Sequence, residues 1–382
     1  MRFIHTADWH LGKNLKGHSL IDDQAHILRE FLKLVDDAKP EAVIVAGDIY
    51  DRGVPPVEAI NLFDEVIFKL AEKKIPVLCI SGNHDNAARL NFGSRLLKQT
   101  KFFIVTRPEE NLPPVILQDK FGEIYFSLIP FCEPIEIQNK FAPEISERLT
   151  SDETNKIYLA AERKKIPNGR RSVAVAHLFA TGGKTSESER KIVGTLDNVD
   201  AANFSGYNYT ALGHLHKPQN MAKSNNFVRY SGSILKYSFD EANFDKGVTL
   251  VDIDGAGEIS AEHVNLIPLH DVKIFSGTLK ELLEYPKTHD YIHAELADKK
   301  YVLDAVGKLR EAAFPNILSI RFAGLEKAAE NHSDAQNLRE GVSTLEYFAD
   351  FFEHETNEKL EGDYRAAMEE FLKELETQAV AD

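Results

Sequence analysis

Five short clusters of aspartate, asparagine and histidine constrain this chain more than any other feature, because each follows directly on an apolar run. They are Asp8-x-His10 after residues 2–7, Gly47-Asp48-x-x-Asp51 after 41–46, and Gly82-Asn83-His84-Asp85 after 76–80. His177 follows 173–176, and Gly213-His214-x-His216 follows 209–212. Short apolar runs bounded by polar residues predict buried strands. Helical patterns lie between the first three, with Ile21, Ala25, Leu28, Leu32 and Val35 on one face of 21–35. Ile60, Phe63, Ile67 and Leu70 do the same in 56–72. Strand and helix alternating at this spacing predict an α/β fold with a parallel sheet. The carboxyl ends of parallel strands form a ligand crevice. Asp, Asn and His delivered there by several strands form a metal-site pattern.

The residue types narrow the metal. Carboxylate, carboxamide and imidazole suit Mn²⁺, Fe²⁺ or Zn²⁺, and the lack of thiolate argues against a structural zinc site. Asp8, His10, Asp48, Asn83, His177, His214 and His216 are too many ligands for one ion with open positions. They suit two ions about 3.5–4 Å apart that share a bridging carboxylate and water and clamp a phosphoryl group during in-line attack. Asp48 is central and is the natural bridge. Each piece has a plainer reading by itself. Asp-x-His can cap a helix or turn, Gly-Asp-x-x-Asp is common in loops, and a lone histidine on a strand is more often a satisfied core residue. The ordered set of five has no such reading.

With the motifs in this order, the sequence resembles the calcineurin-like metallophosphoesterases. It is closer to one branch, the SbcD-type DNA nuclease subunits and their archaeal and eukaryotic recombination-repair counterparts. The stretches that carry the resemblance are FIHTADWHLGK at 3–13, VIVAGDIYDRGVPP at 43–56 and CISGNHDNAARL at 79–90. VAVAHLF at 173–179, YTALGHLHKPQ at 209–219 and RYSGSILKYSF at 229–239 complete it. The resemblance covers residues 1–250 well and the rest in layout only.

The resemblance implies a sandwich of two central sheets flanked by helices, a small α+β capping domain and C-terminal helices. It implies two Mn²⁺ ions, with Mg²⁺, Fe²⁺ or Zn²⁺ as alternatives. One ion is expected on Asp8, His10, Asp48 and His216, the other on Asp48, Asn83, His177 and His214. His84 is expected to be the acid that protonates the leaving 3′ oxygen, work that an imidazole with its ordinary pKa of about 6.5 suits near neutral pH. Asp85 either orients His84 or caps the helix that follows. At Asp51 the archaeal and eukaryotic members tend to have His, while bacterial members resemble this sequence. The implied activity is a 3′→5′ exonuclease on duplex DNA and an endonuclease on single strands and hairpins, working as a dimer of this chain. ATP belongs to a partner, an SbcC-type coiled-coil ATPase, and not to this chain.

The resemblance also implies a layout of 1–270 for the nuclease domain, 271–340, which fits by length, for capping and DNA selection, and 341–382 for helices that dock on the partner. A length of 382 residues exceeds what one core usually supports. Hydrophobic content of 43% excludes a mostly disordered chain. Strand character fades after about 270, where 278–284, 291–296 and 301–313 suggest a small α+β unit, while 141–166 reads as helical. Leu345, Phe348 and Phe352, then Tyr364, Met368, Phe371, Leu372 and Leu375, form amphipathic stripes in the tail. Such a stripe docks on a partner or packs on its own domain.

A formal charge of −15 looks adverse to nucleic acid, yet residues 341–382 hold 12 acids against 3 bases and so carry −9 of it. Lys13, Arg52 and Arg89 flank the metal motifs and are candidates for phosphate contact or for surface ion pairs. Thr181-Gly182-Gly183-Lys184-Thr185 echoes a P-loop, but position 178, where the first glycine belongs, is Leu. Two cysteines, Cys79 and Cys132, in apolar runs suggest a reduced, cytoplasmic protein. No run approaches the roughly 20 apolar residues of a membrane span. Two rivals share the fold: a stand-alone phosphoesterase acting on a non-DNA ester, which needs no long C-terminal extension, and a non-catalytic scaffold, which would have lost ligands.

Overall fold

The apolar runs pair into two six-stranded sheets that pack face to face. The protein is seen in a computed structural model that describes residues 1–189, 198–221, 227–326, 344–356 and 359–379. The first sheet runs Ile259–Asn265, Gly247–Ile253, Arg2–Thr6, Ala42–Ala46, Val77–Ile80, Phe102–Val105. The last four strands are parallel. The second runs Gln219–Asn220, Phe227–Tyr230, Tyr209–Gly213, Arg171–His177, Gly122–Ile129, Val115–Asp119, with a parallel centre.

Ala42–Ala46, Val77–Ile80, Arg171–His177 and Tyr209–Gly213 are buried at every position. Both of their faces are covered, which is why they read as continuous apolar runs without alternation. Phe3, Ile44 and Leu78 meet Phe126, Val175 and Tyr209 between the sheets. Helices Ile21–Ala38 and Val57–Glu72 cover the outer face of the first sheet through Phe31, Val35, Phe63 and Leu70. Helices Pro134–Phe141 and Ser151–Lys164 cover the second through Ile137, Tyr158 and Leu159. The architecture is the helix-flanked α/β sandwich. One polar tie crosses the apolar layer: the buried His5 ring meets the Tyr209 hydroxyl at 2.9 Å and the Leu212 carbonyl at 3.1 Å. Burial, helped by the charge of Arg229, draws its pKa down to about 3, so the ring is neutral.

Three local expectations change. Of the helical stretch 141–166 only Ser151–Lys164 is helix: the preceding helix ends at Phe141, and a capping box of Thr150 and Glu153 starts the new one. The edge strands Val115–Asp119 and Ile259–Asn265 are additional; both are half-exposed, and their mixed polarity hides them in sequence. The small α+β unit expected after residue 270 is there, with two strands more than the sequence suggested. Val272–Gly277, Tyr291–Leu296 and Ile317–Arg321 form a parallel three-stranded sheet with helices Leu279–Leu283 and Ala305–Ala312 between them.

The chain divides into two compact units, Met1–Leu296 with Val302–Arg321, and Ala297–Tyr301 with Phe322–Asp382. The first therefore holds the sandwich and the three-stranded sheet together. The second contains helices Thr344–Thr356 and Gly362–Ala379, joined by a 5.9 Å contact between the Phe352 and Tyr364 rings. Tyr364 and Phe371 are exposed there. The boundary at 340 and the Leu375 side chain lie outside the described residues.

Candidate metal centre

All five clusters reach one edge of the sandwich, where the parallel strands of both sheets end. Asp8, His10 and His216 form one group of potential ligand atoms within 4.8 Å of one another. Asp48, His177 and His214 form a second, and His10, Asp48 and His84 a third. Asn83 Oδ1 lies 3.0 Å from His177 Nε2 and 3.1 Å from His214 Nδ1. Asp48 Oδ2 is 3.6 Å from His10 Nε2 and 3.4 Å from His177 Nε2, so it stands between the groups.

The backbone is bent to make this cluster. Nine non-glycine residues among those described have positive φ, and four are Asp8 (54°), His10 (44°), Asp48 (50°) and His214 (107°). Each such position costs about 1–3 kcal/mol and persists only where the surroundings hold it. The motif glycines leave the room. A Cβ on Gly47 would stand 2.3 Å from His177 Nδ1, one on Gly82 2.1 Å from Asp48 Oδ1, and one on Gly213 1.9 Å from the Ala46 carbonyl.

Whether the donor set suits a cation depends on where its protons are. His177 Nδ1 donates to the Ala46 carbonyl at 2.9 Å, which turns Nε2 toward Asn83 Oδ1 and Asp48. His216 Nδ1 is engaged by Ser188 Oγ at 2.6 Å and Glu241 Oε1 at 3.1 Å, so its Nε2 lone pair faces His10 Nε2 at 3.0 Å. Imidazole nitrogens and carboxylate oxygens are thus crowded into one buried spot, where a cation can replace the few protons they share. His10 Nδ1 and Asn83 Nδ2 are also buried without a hydrogen-bond partner. The residues fit a divalent cation.

The electrostatics agree. Burial alone would lower the His177 ring, but the carboxylates of Asp48 and Asp8 draw it up to about 9. Asp48 is held well below the usual carboxylate range: burial opposes this, and the imidazoles of His177, His10 and His84 prevail. Burial, reinforced by the charge of Asp48, pushes Asp8 well above that range. Burial takes His214 down to about 3, and the neighbouring His177 adds to it. Positive charge is drawn to the middle of the cluster.

The other candidates have distinct places. His84 is half-buried; its Nδ1 donates to the Asp51 carbonyl at 2.8 Å and its ring meets His10 at 4.7 Å. Asp85 accepts from the N–H groups of Gly82, Ile49 and Tyr50 at 2.9–3.1 Å. It braces the Gly47 loop to the Gly82 loop, while Asn86 caps the short helix that follows. Asp51 Oδ1 pairs with Lys13 Nζ at 2.8 Å and stands 3.6 Å from His10 Nδ1. Lys13 thus lies at the rim and is 14% exposed, whereas Arg52 and Arg89 are exposed. The Thr181–Thr185 stretch joins no strand to a helix; the Lys184 backbone pairs with the Gln219 side chain.

Sequence reasoning missed the residues behind the ligands. Glu241, fully buried, also binds Lys246 Nζ at 2.5 Å, and Glu189 Oε1 accepts the His216 N–H at 2.6 Å. Gln24 and Tyr237 bond to the carbonyls of His10 and Trp9. The signal available was position alone: Tyr237 and Glu241 lie in and just after the stretch 229–239.

This fold, with Asp, Asn and His gathered at the sheet edge, defines a metal-dependent phosphoesterase. The calcineurin-like phosphoesterase family matches residues 1–218, and the Type 5 capsule protein repressor C-terminal domain matches 268–356. The chain is 34% identical to the SbcD subunit of the SbcCD nuclease of Staphylococcus epidermidis, over 94% of this chain and 95% of that one. It is 35% identical to the corresponding SbcCD nuclease subunit of Staphylococcus saprophyticus, over 84% of each. The chain belongs to the calcineurin-like phosphoesterases, in the branch of the SbcD nuclease subunits. It is a hydrolase of phosphodiesters, and the family implies a divalent metal. Among the described residues no helix is long and apolar enough to cross a membrane.

Proposed function

We propose that this chain is the Mn²⁺-dependent nuclease subunit of an SbcCD-like complex in DNA repair and recombination. It acts as a 3′→5′ exonuclease on duplex ends and as an endonuclease on single strands and hairpins. The observation that carries this is the convergence of seven donors from five strand ends, drawn from both sheets, on one cleft beside His84. Asp8, His10, Asp48 and His216 hold one ion, and Asp48, Asn83, His177 and His214 the other. Two such ions, when bound, polarise a phosphoryl oxygen and acidify the attacking water.

The chain's own residues do the rest. His84 gives its Nδ1 proton to the Asp51 carbonyl. That bond fixes the ring and leaves Nε2 to carry the proton delivered to the leaving 3′ oxygen. Asp85 keeps His84 in place through the loop it braces. Asp51 holds Lys13 at the rim, where its ammonium joins Arg52 and Arg89 in meeting DNA phosphates.

The names of the curated relatives support an SbcC-type ATPase partner, which in this reading binds the ATP. The tail helices at 341–382 dock on it through side chains such as Tyr364 and Phe371, while residues 271–340 cap the cleft and select DNA. A second copy covers the exposed apolar side chains Val57, Ile60, Phe68, Phe92 and Leu96. The site of action is the cytoplasm.

The test uses purified chain, Mn²⁺ and end-labelled duplex. Cleavage is expected, and His84→Ala should lower it by about 10²–10⁴-fold while bound Mn²⁺ stays as in the wild type. Loss of metal in that variant refutes the proton-donor role. Deleting 341–382 should abolish partner binding and spare Mn²⁺-dependent cleavage. A chain that hydrolyses small phosphate esters and leaves DNA intact is the stand-alone phosphoesterase instead.

A further inference from the structure

Two pairs of adjacent residues join the seat of the three-stranded sheet to the backbone that carries His10. The first is Asp23-Gln24, in the opening turn of helix Ile21–Ala38. The buried Asp23 carboxylate accepts from the His270 N–H at 3.2 Å, meets His270 Nδ1 at 2.9 Å and accepts from the Tyr291 hydroxyl at 2.7 Å. His270 leads into that sheet and Tyr291 begins its middle strand. Gln24 serves the other side: Nε2 donates to the His10 carbonyl and Oε1 accepts from the Gly12 N–H, both at 2.8 Å.

The second pair is Lys236-Tyr237. Lys236 Nζ pairs with the Asp271 carboxylate at 2.8 Å, again at the entry to the sheet. The Tyr237 hydroxyl donates to the Trp9 carbonyl, and its ring packs on those of His10 and His216 at 5.5 and 5.7 Å. In each pair one residue holds the sheet and its neighbour holds residues 9–12.

The rest of the seam is less filled. A cavity of about 330 Å³ lies there, lined by Leu235, Phe244, Leu266 and Tyr291 among others. Leu266, Val272 and Tyr291 pack into the core under helix Ile21–Ala38, and beside the cavity the polar contacts above complete the seat. On the other side of the tie, His10 has a φ of 44° and is held in that conformation by its neighbours.

We propose that Asp23, Gln24, Lys236 and Tyr237 are positioning residues that couple the seat of the three-stranded sheet to the aim of His10. A change at the seat then changes cation affinity at the His10 end of the centre. By linkage, cation binding must also tighten the seat. The coupling rests on the reading of His10 as a metal ligand.

The test uses the full chain with Mn²⁺ alone as the probe. Binding is measured by calorimetry, and amide exchange of Val272–Gly277 and Tyr291–Leu296 is followed with and without Mn²⁺. In the wild type, Mn²⁺ should slow exchange in both strands. Asp23→Ala and Lys236→Met should each weaken one class of Mn²⁺ sites by about 5-fold or more and remove that protection. Tyr291→Phe keeps the ring, loses one bond, and should shift both readouts in the same direction by less. It decides the matter if Asp23→Ala does not fold. Wild-type isotherms in the folded variants, or strand exchange indifferent to Mn²⁺ in the wild type, overturn the coupling. His10→Ala separates the two levels. If it binds Mn²⁺ as the wild type does, the ligand assignment fails. If it loses binding while the seat variants do not, only the coupling fails.

Discussion

The two ends of the sandwich both bury charge, and they treat it in opposite ways. At the end away from the metal centre, Arg171 reaches Asp119 with two nitrogens at 2.9 and 2.6 Å and also donates to the carbonyls of Gly122 and Asp254. The Met1 ammonium donates to the same carboxylate at 2.7 Å and to the Ile253 carbonyl at 2.8 Å. Strands of both sheets are clipped together, and donors and acceptors match. At the other end, imidazole nitrogens crowd together, His10 Nδ1 and Asn83 Nδ2 lack partners, and four residues have left-handed backbone. A buried cluster that closes its own hydrogen bonds holds a fold; one that leaves them open is built to take something in.

The largest expected effect lies at the closed end. Arg171→Met leaves Asp119, 1% exposed, with half its partners. Chemical denaturation should report a loss of about 3–5 kcal/mol, as expected when one member of a buried pair is removed. Mn²⁺ binding by the folded fraction should not change; if it does, the two ends are not separate. At the open end, Gly82→Ala sets a methyl against Asp48 and should lower activity by about 10²-fold, the scale of an ångström of misplacement. Its melting temperature in chelator should fall too, because the methyl also stands 2.4 Å from the Asp48 backbone nitrogen, and unchanged activity would show that the loop gives way without disturbing Asp48. Glu241→Gln keeps the shape behind His216 but loses the charge. It should weaken Mn²⁺ binding by about 10–100-fold, as for other partners of metal-bound histidines, and it should also cost stability because Lys246 is left buried without its carboxylate. An unchanged isotherm would remove Glu241 from the site.

The smallest effect is a difference of slope with pH, read from unfolding in chelator. The Arg171 guanidinium beside Asp119 lowers its folded pKa, so its stabilisation is full above the ordinary value near 4 and is lost as pH falls below it. Burial, with the charge of Asp48, raises Asp85 to about 6. A raised carboxyl pKa has the opposite sign: stability falls as pH rises from about 4 to about 6. Asp85→Asn should flatten the upper window and Asp119→Asn the lower. The same slope in both windows would break the contrast.

Much of the open end was legible in sequence because each candidate ligand directly follows an apolar run, and the run fixes both strand and edge. The closed end was not. Asp119 sits on an edge strand whose alternation is weak, and nothing local marks Arg171 as buried. Glu241, Gln24 and Tyr237 were invisible for a related reason. Their partners His216, His10 and Trp9 lie 25, 14 and 228 residues away, and only the packed sandwich brings them together. In the small α+β unit the middle strand and both helices were legible, and the outer strands Val272–Gly277 and Ile317–Arg321 escaped because they mix Lys, Ser and Arg with apolar residues.

The divided origin of the metal centre has a consequence for biosynthesis. Asp8, His10, Asp48 and Asn83 leave the ribosome early, while His177, His214 and His216 follow much later, on the second sheet. Until residue 216 has been made and both sheets have closed, neither of the two proposed ligand sets is complete. On that proposal a nascent or truncated chain stays inactive, and metal uptake becomes a certificate that the whole sandwich has been assembled.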